Sequence, residues 1–230
     1  LIQWINYSKA TVFAIDIPSG IHATTGKKMH CAICADYTIA LDCFKLGHFQ
    51  NAGLEYCGQL ECVDIGILKS VHKQIDHPVY FINEQLSKEL LPVRSNLSHK
   101  GTFKKGLLIG GSQSMHGALT LAANACYRSG IGTLTLMVPD CIGDILASKM
   151  DFAMQLRKSS KDGFFDRPDQ EALFNEINSF QFIAIGNGIG RNQASIDYVE
   201  TVLKTDKPVL IDADGLWALG NNTNLLHRQA

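Results

Sequence analysis

The sequence lacks a surplus of either charge, since 21 Lys and Arg stand against 22 Asp and Glu, and the formal net charge is -1. Without a basic excess, we expect the chain to bind neither nucleic acid nor an anionic lipid surface. It also lacks an apolar run long enough to span a bilayer and a recognisable secretion signal. We therefore expect a cytoplasmic protein that has no nucleic-acid partner and no membrane partner.

The sequence lacks a regular cysteine framework. Its seven cysteines are an odd number and are irregularly spaced, which predicts reduced, buried thiols rather than a set of disulfides. Cys31 and Cys34 form a CxxC pair, but a structural zinc site usually needs a second such pair. Cys43, Cys57 and Cys62 do not supply one, so we favour core thiols over zinc ligands.

What the sequence does contain is an alternation of short apolar runs and amphipathic stretches. The runs predict strands over residues 12–15, 36–41, 60–65, 107–109, 133–138, 182–185 and 208–211, and a short one over 79–82. Helices are predicted over 83–91 with Asn83 as the cap, over 115–129 up to Gly130, over 141–150 and over 193–204. This alternation is typical of parallel sheets with helical crossovers.

Four of the predicted strands end in polar or glycine-rich turns, at residues 16–20, 110–112, 186–190 and 212–215. In open parallel sheets, ligands bind beyond the carboxyl ends of the strands. In the first turn, Asp16 is expected to be a poorly solvated carboxylate that could exchange a proton or hold a substrate hydroxyl, and Ser19 could ligate a cation. These residue types also form ordinary Pro-Gly turns, and the turn alone does not distinguish the two interpretations.

The other three turns lie in the second half of the chain. Residues 110–112 are Gly-Gly-Ser before a helix, which fits either an anion held by backbone amides or tight strand–helix packing. They lack the Gly-Lys-Ser/Thr ending of a Walker A loop, and the alternating glycines at 186–190 lack the spacing of the dinucleotide fingerprint. Asp212 and Asp214 could hold phosphates bound to Mg²⁺, or could form a turn that caps the next helix.

Taken in order, these motifs resemble a known pair of domains. Residues 16–20, 35–38, 45–47, 56–58 and 64–67 resemble the second half of the NAD(P)H-hydrate epimerase domain. The later series resembles the first two-thirds of the ADP-dependent NAD(P)H-hydrate dehydratase domain of the ribokinase-like superfamily: residues 98–103, 110–112, 117–118, 128–130, 186–190 and 212–216. The order of the two blocks matches the bifunctional repair enzymes of bacteria.

The resemblance implies an α/β fold in two parts. Residues 1–76 would be the C-terminal part of a Rossmann-like epimerase domain. Residues 77–230 would be the N-terminal part of a ribokinase-like α/β/α dehydratase domain. The implied function is repair of nicotinamide nucleotides, by epimerisation of hydrated NADH or NADPH and ADP-dependent dehydration of the S epimer. A homo-oligomer is also expected.

The resemblance also assigns residues. Asp16 would be catalytic and would contact the hydrated nucleotide, and Ser19 would help to bind K⁺. The dehydratase substrate site would include four positions of this chain: Ala118, Gly186, Gly188 and Gly190. The nucleotide, ADP or ATP with Mg²⁺, would lie at Gly111, Asp212 and Asp214.

Two positions depart from the family pattern, because Lys104 stands where glycine is usual and Asn187 stands where proline is usual. The epimerase's Asn- and Gly-rich phosphate and K⁺ loop is expected upstream of Leu1, and the dehydratase's Gly-Ser-Gly-Asp anion hole beyond Ala230. We therefore expect both ends to be cuts through a longer protein, and the 230 residues alone to be inactive as a dehydratase. The alternatives are a ribokinase-like small-molecule kinase and a non-catalytic epimerase-like scaffold; the presence of Asp16 argues against the scaffold.

Overall fold

The structure is a computed structural model, and it describes residues 1–74, 79–91, 94–220 and 222–227. Contacts between residues divide the chain into two compact units, Leu1–Pro92 (unit 1) and Val93–Ala230 (unit 2). The domain boundary predicted between residues 76 and 77 falls outside the described residues and stays a prediction. No helix in the described part of the chain combines the length and apolarity that crossing a membrane requires.

Unit 1 contains a three-stranded parallel sheet in the order β1-β2-β3. Its elements are α1 Ile2–Tyr7, β1 Phe13–Ile15, β2 Tyr37–Leu41, α2 Gly53–Tyr56, β3 Gln59–Val63, α3 Lys69–His72 and α4 Glu84–Leu90, with a 3₁₀ helix at Leu46–Phe49. Each strand is followed at once by an aspartate: Asp16 after β1, Asp42 after β2 and Asp64 after β3. Because the strands run parallel, the three carboxylates follow the carboxyl ends of neighbouring strands.

The end of unit 1 confirms one prediction and contradicts another. The side chain of Asn83 accepts a hydrogen bond from the Leu86 amide at 2.9 Å and caps α4, as predicted. The prediction of a strand over residues 79–82 is wrong, because that segment pairs with no strand among the described residues. Phe81 of this segment instead belongs to an aromatic cluster with Phe44 and Phe49, and it stacks on Phe49 with ring centroids 5.0 Å apart.

Unit 2 is built on a five-stranded parallel sheet in the order β10-β9-β4-β5-β6 among its described residues. Its elements are β4 Lys105–Ile109, α5 His116–Arg128, β5 Thr133–Pro139, α6 Gly143–Ala147, β6 Met154–Lys158, β7 Ser160–Lys161, β8 Phe164–Phe165, α7 Gln170–Ile177, β9 Phe182–Ile185, α8 Gln193–Leu203, β10 Val209–Ile211 and α9 Asp214–Leu219. From β4 the chain builds one side of the sheet and then returns to build the other. The strand order therefore reverses at β4, between β5 and β9, and such a switch point opens a crevice at the carboxyl ends of the strands.

The core of unit 2 lies on both faces of this sheet. Leu107 and Ile109 of β4 belong to a cluster that includes Tyr198 and Val202 of α8, while Leu108 points into a second cluster on the opposite face. This two-sided burial explains why β4 is a continuous apolar run rather than an alternating one. The strands predicted over 107–109, 133–138, 182–185 and 208–211 are confirmed with shifts of two residues or fewer at their ends.

Some features of unit 2 differ from the predictions. The helix predicted over 141–150 is a short 3₁₀ turn followed by α6 at Gly143–Ala147. The sequence did not predict β6, α7 or the antiparallel hairpin β7–β8. Gly143 is the first residue of α6 and has helical dihedral angles, so the helix is continuous with the 3₁₀ turn before it and ends three residues earlier than predicted.

The prediction of buried thiols is also wrong. The seven cysteines are free, as expected, but Cys34, Cys43, Cys62 and Cys141 are exposed, and Cys57 is the one that is buried. The pattern misled because an apolar neighbour in sequence does not fix which way a strand-end or loop side chain points.

Candidate functional site

The first candidate site is centred on Asp16, at the carboxyl end of β1. Its backbone has a φ of 69°, in the left-handed region that non-glycine residues rarely adopt. Its amide donates to the carbonyl of Ile39 at 2.8 Å, and its carboxylate accepts from the Leu41 amide at 3.1 Å. The ammonium of Lys45 forms an ion pair with the same carboxylate.

These contacts decide the charge of Asp16. Burial by itself raises the pKa of the carboxyl, but the hydrogen bonds from Lys45 and Leu41 and the positive charge of Lys45 outweigh it. The pKa of Asp16 therefore lies below its ordinary value of 3.8. Its side chain is 38% exposed, so solvation is better than the sequence led us to expect. At neutral pH, Asp16 is ionised and available as an acceptor or a base, and it has no proton to donate.

The turn after Asp16 brings Ser19 to the surface. Ser19 is exposed, and its carbonyl accepts a hydrogen bond from the Ile33 amide at 2.9 Å. Gly20 has a φ of 96°, and an added Cβ would overlap the carbonyl oxygen of Cys31. Glycine at position 20 is thus required by the close approach of Cys31 and Ala32, and Ser19, three residues after Asp16 in the chain, is exposed.

The second candidate site lies in unit 2, where the turns after β4 and β9 meet. The amide of Gly111 donates to the carbonyl of Asn187 at 2.9 Å. A Cβ added to Gly188 would lie 2.6 Å from the carbonyl oxygen of Met115 and 3.3 Å from the Cβ of Ala118. Gly188 therefore packs on the first turn of α5, and a larger residue cannot occupy its position without displacing that turn.

The turn after β10 completes this site. Asn187 donates from its side chain to the carboxylate of Asp212 at 3.3 Å. A Cβ added to Gly186, whose φ is 123°, would overlap the carbonyl oxygen of Asp212. The structure thus brings together the predicted residues of unit 2, namely Gly111, Ala118, Gly186, Gly188, Gly190, Asp212 and Asp214, around the carboxyl ends of β4, β9 and β10.

The two aspartates of this turn have different surroundings. Asp214 accepts from the Gly190 amide at 3.2 Å with one oxygen and from the Arg191 guanidinium at 2.9 Å with the other. Its side chain is only 14% exposed. Asp212 is exposed, and its carboxylate accepts from Asn187. The geometry therefore gives Asp214 a structural contact with the glycine turn and leaves Asp212 more open to a ligand.

Two residues of this site, Asn187 and Ser112, lie in motifs noted in the sequence but were not among the predicted site residues. Asn187 links the turns after β4, β9 and β10, and its place inside the glycine run was the available signal. Ser112 is fully buried, and within the part of the chain that the structure describes its hydroxyl has no hydrogen-bond partner. Unpaired buried hydroxyls are rare and are often completed by a ligand or a bound water, and Ser112 lies in the turn that follows β4.

The fold and the two groups of turns define the class: an α/β protein whose ligand sites lie at the carboxyl edges of parallel sheets, one of them where the strand order reverses. Residues 106–230, more than half of the chain, match the family model described as NAD(P)H-hydrate dehydratase, and the chain belongs to that family. Residues 1–47 match a second model, described as YjeF-related protein N-terminus. The family resemblance inferred from the motifs is thereby confirmed.

Individual relatives agree with the family. The bifunctional NAD(P)H-hydrate repair enzyme Nnr of Moorella thermoacetica is 32% identical over 228 residues, which are 98% of this chain and 43% of that protein. The protein of the same name from Dictyoglomus turgidum is 31% identical over 220 residues, 94% of this chain and 43% of the relative. The chain thus spans less than half the length of these relatives.

A solved structure agrees with the fold. A ribokinase-like superfamily protein from Enterococcus faecalis superposes with a TM-score of 0.52 over 64% of this chain and 52% of that protein. The two are 21% identical in sequence, so the similarity concerns the fold alone. The predicted α/β class with parallel sheets is confirmed: the part predicted to be Rossmann-like matches the YjeF-related model, and the part predicted to be ribokinase-like has a ribokinase-like neighbour.

Proposed function

We propose that the chain is part of a nicotinamide nucleotide repair enzyme, and that unit 2 contributes to the dehydration of hydrated NADH or NADPH. The observation that carries this proposal is the meeting of three glycine- and aspartate-bearing turns at the switch point of a chain that belongs to the NAD(P)H-hydrate dehydratase family. Backbone amides and small residues there let a nucleotide approach the sheet edge closely.

One group of these residues would bind the hydrated substrate, and another would bind the nucleotide. Ala118 and Gly188 pack together and would form the floor of the substrate site. Gly186 lets the turn pack on the Asp212 carbonyl, and Gly190 lets it pack on the Phe164 ring, so both would set the shape of the turn that faces the substrate. Gly111 and the exposed Asp212 would face the nucleotide, ADP or ATP, with Asp214 holding the Gly190 turn in place. The carboxylate of Asp212 is an oxygen ligand of the kind that Mg²⁺ takes. The nucleotide's phosphate would supply the chemistry that converts the hydroxyl of the substrate into a leaving group.

Unit 1 would contribute the epimerase activity that the resemblance of its motifs implies, within a chain whose relatives are named bifunctional NAD(P)H-hydrate repair enzymes. Asp16, ionised and held at the sheet edge, would contact the hydrated nucleotide as an acceptor or base. Ser19 would provide one oxygen ligand for K⁺, an ion that proteins hold with hydroxyl and carbonyl oxygens. A cytoplasmic homo-oligomer is the expected state, and size-exclusion chromatography with light scattering would test the assembly.

The experiment uses the full-length gene product, incubated with hydrated NADH, ADP or ATP, and Mg²⁺, while the absorbance of the reduced nicotinamide is followed. Gly188→Ala should lower the rate of dehydration by about a hundredfold. The new Cβ would displace the first turn of α5 by up to about 1 Å, and a displacement of that size at a substrate site has an effect of that order. Gly117→Ala is the matched control, since that glycine is exposed on the same helix and its added Cβ meets nothing within 4 Å.

Two results would contradict the proposal. One is equal loss of activity in both variants, which would show that the effect is not specific to the crevice. The other is phosphorylation of a small-molecule alcohol by the wild type with no turnover of hydrated NADH, which is the outcome expected of a kinase.

A further inference from the structure

Asp16 occupies an unfavourable backbone conformation that the rest of unit 1 must hold in place. Its φ of 69° lies in the left-handed region, and such residues persist where their surroundings fix them from several sides. The amide and the carboxylate are fixed by Ile39, Leu41 and Lys45. The remaining polar group of Asp16 is its backbone carbonyl.

That carbonyl is hydrogen-bonded to the side chain of His48, which lies 32 residues further along the chain in the 3₁₀ helix at Leu46–Phe49. The imidazole Nε2 is 2.8 Å from the carbonyl oxygen of Asp16, and the amide of Lys45 donates to Nδ1 at 3.2 Å. A backbone amide can only donate, so Nδ1 must be the acceptor. Nε2 therefore carries the proton and donates it to Asp16.

All three N–H donors of the Lys45 ammonium also have hydrogen-bond acceptors. Besides the Asp16 carboxylate, it donates to the carbonyls of Leu41 at 3.0 Å and Cys43 at 3.1 Å. These three contacts match the three donors of an ammonium group. The carbonyls of Leu41 and Cys43 therefore hold the ammonium of Lys45 next to the Asp16 carboxylate. The backbone amide of Lys45 is in turn hydrogen-bonded to His48.

We propose that His48 is a positioning residue of the epimerase site, one imidazole that fixes the backbones of both members of the Asp16–Lys45 ion pair. The inference rests on the proposed function of unit 1. His48 is only 2% exposed, so it acts through Asp16 and Lys45 and does not contact a substrate.

The protonation state of His48 fits this role. Burial lowers the pKa of the imidazole, the hydrogen bond with the Asp16 backbone opposes this, and the nearby Lys45 charge adds to the lowering. The ring is therefore neutral at neutral pH, as the acceptor role of Nδ1 requires.

Three variants of the full-length gene product separate the two bonds of the imidazole. His48→Leu fills a similar volume and removes both bonds. His48→Gln retains a donor near the position of Nε2, and His48→Asn retains an acceptor near the position of Nδ1. Thr38→Val is the matched control, because Thr38 is buried in β2 of the same unit and loses a 2.7 Å bond to Cys57 that does not involve Asp16.

Two readouts are measured: the kcat and KM of epimerisation of hydrated NADH, and the titration of the Asp16 carboxyl by NMR. His48→Leu should lower kcat roughly ten- to a hundredfold with a much smaller change in KM, since small displacements of a reacting group have effects of that size. The pKa of Asp16 should rise toward its ordinary value. His48→Gln should recover most of both losses, His48→Asn less, and Thr38→Val should lower the unfolding temperature without changing kcat or the pKa of Asp16.

An unchanged kcat and an unchanged Asp16 titration in His48→Leu would overturn the inference, and so would equal losses of kcat in His48→Leu and Thr38→Val. A wild type that does not epimerise hydrated NADH would instead overturn the proposed function of unit 1. In that case the Asp16 titration alone still decides whether His48 positions the ion pair.

Discussion

Replacing Lys104 with glycine should stabilise unit 2. Lys104 joins the 3₁₀ helix at Lys100–Phe103 to β4, with φ 65° and ψ 164°, a region that is accessible almost only to glycine. A side chain held there costs about 1–3 kcal/mol. Glycine removes that cost and gives up about 0.5–1 kcal/mol through the greater freedom of the unfolded chain. The expected gain in the free energy of unfolding is therefore about 1 kcal/mol, or a rise in Tm of roughly 2–5 °C.

The measurement is thermal and urea unfolding of the full-length gene product, followed by a signal assigned to unit 2. Lys104→Ala is the first control, because it removes the charge and the side-chain stem but keeps the Cβ that causes the strain. Lys149→Gly is the second, because Lys149 is exposed and has no positive φ. The reasoning would be refuted if Lys104→Gly were no more stable than Lys104→Ala, or if Lys149→Gly gained the same amount.

Two further predictions concern unit 1. Gly20→Ala should lower its free energy of unfolding by more than about 2 kcal/mol, because the Cβ would overlap the Cys31 carbonyl at a φ of 96°; Gly66→Ala, with φ 85° and open space around it, should lose only about 1 kcal/mol in the same urea titration. Because the pKa of His48 is lowered in the folded protein, the unfolded chain binds more protons at acidic pH than the folded chain does. The free energy of unfolding of the wild type should therefore fall as the pH drops below about 6.5. His48→Leu should lack that loss, and equal pH profiles for the two proteins would contradict the assignment of a buried neutral imidazole.

Local signals in the sequence were sufficient for several elements of both units. The apolar run at Phe182–Ile185 predicted a strand buried on both faces, and the glycines after it predicted a turn at its carboxyl end. Asn83 predicted a helix start in the same way, because an N-cap bonds an amide only three residues away. Such features depend on interactions within one strand, turn or helix, so one short stretch of sequence contains the information.

The hairpin β7–β8 and the unpaired segment at residues 79–82 are two places where prediction from the local sequence failed. Phe164 and Phe165 are two apolar residues among polar ones, too few for a periodicity, and they pair with Ser160 and Lys161 to form the hairpin. Val79–Ile82 has the composition of a strand but no described neighbour to pair with. Strand formation requires a partner, and the sequence of a segment does not say whether a partner is available.

The sequence by itself determined the family, the parallel α/β class and the turns at which the candidate sites lie, because each depends on residue types in a fixed order along the chain. Only the tertiary structure decided which residues surround Asp16. Its partners Leu41, Lys45 and His48 lie 25, 29 and 32 residues away, and no periodicity connects them. The charge of Asp16 and the tautomer of His48 follow from distances between those atoms, and such distances exist only once β1 and β2 have paired in register.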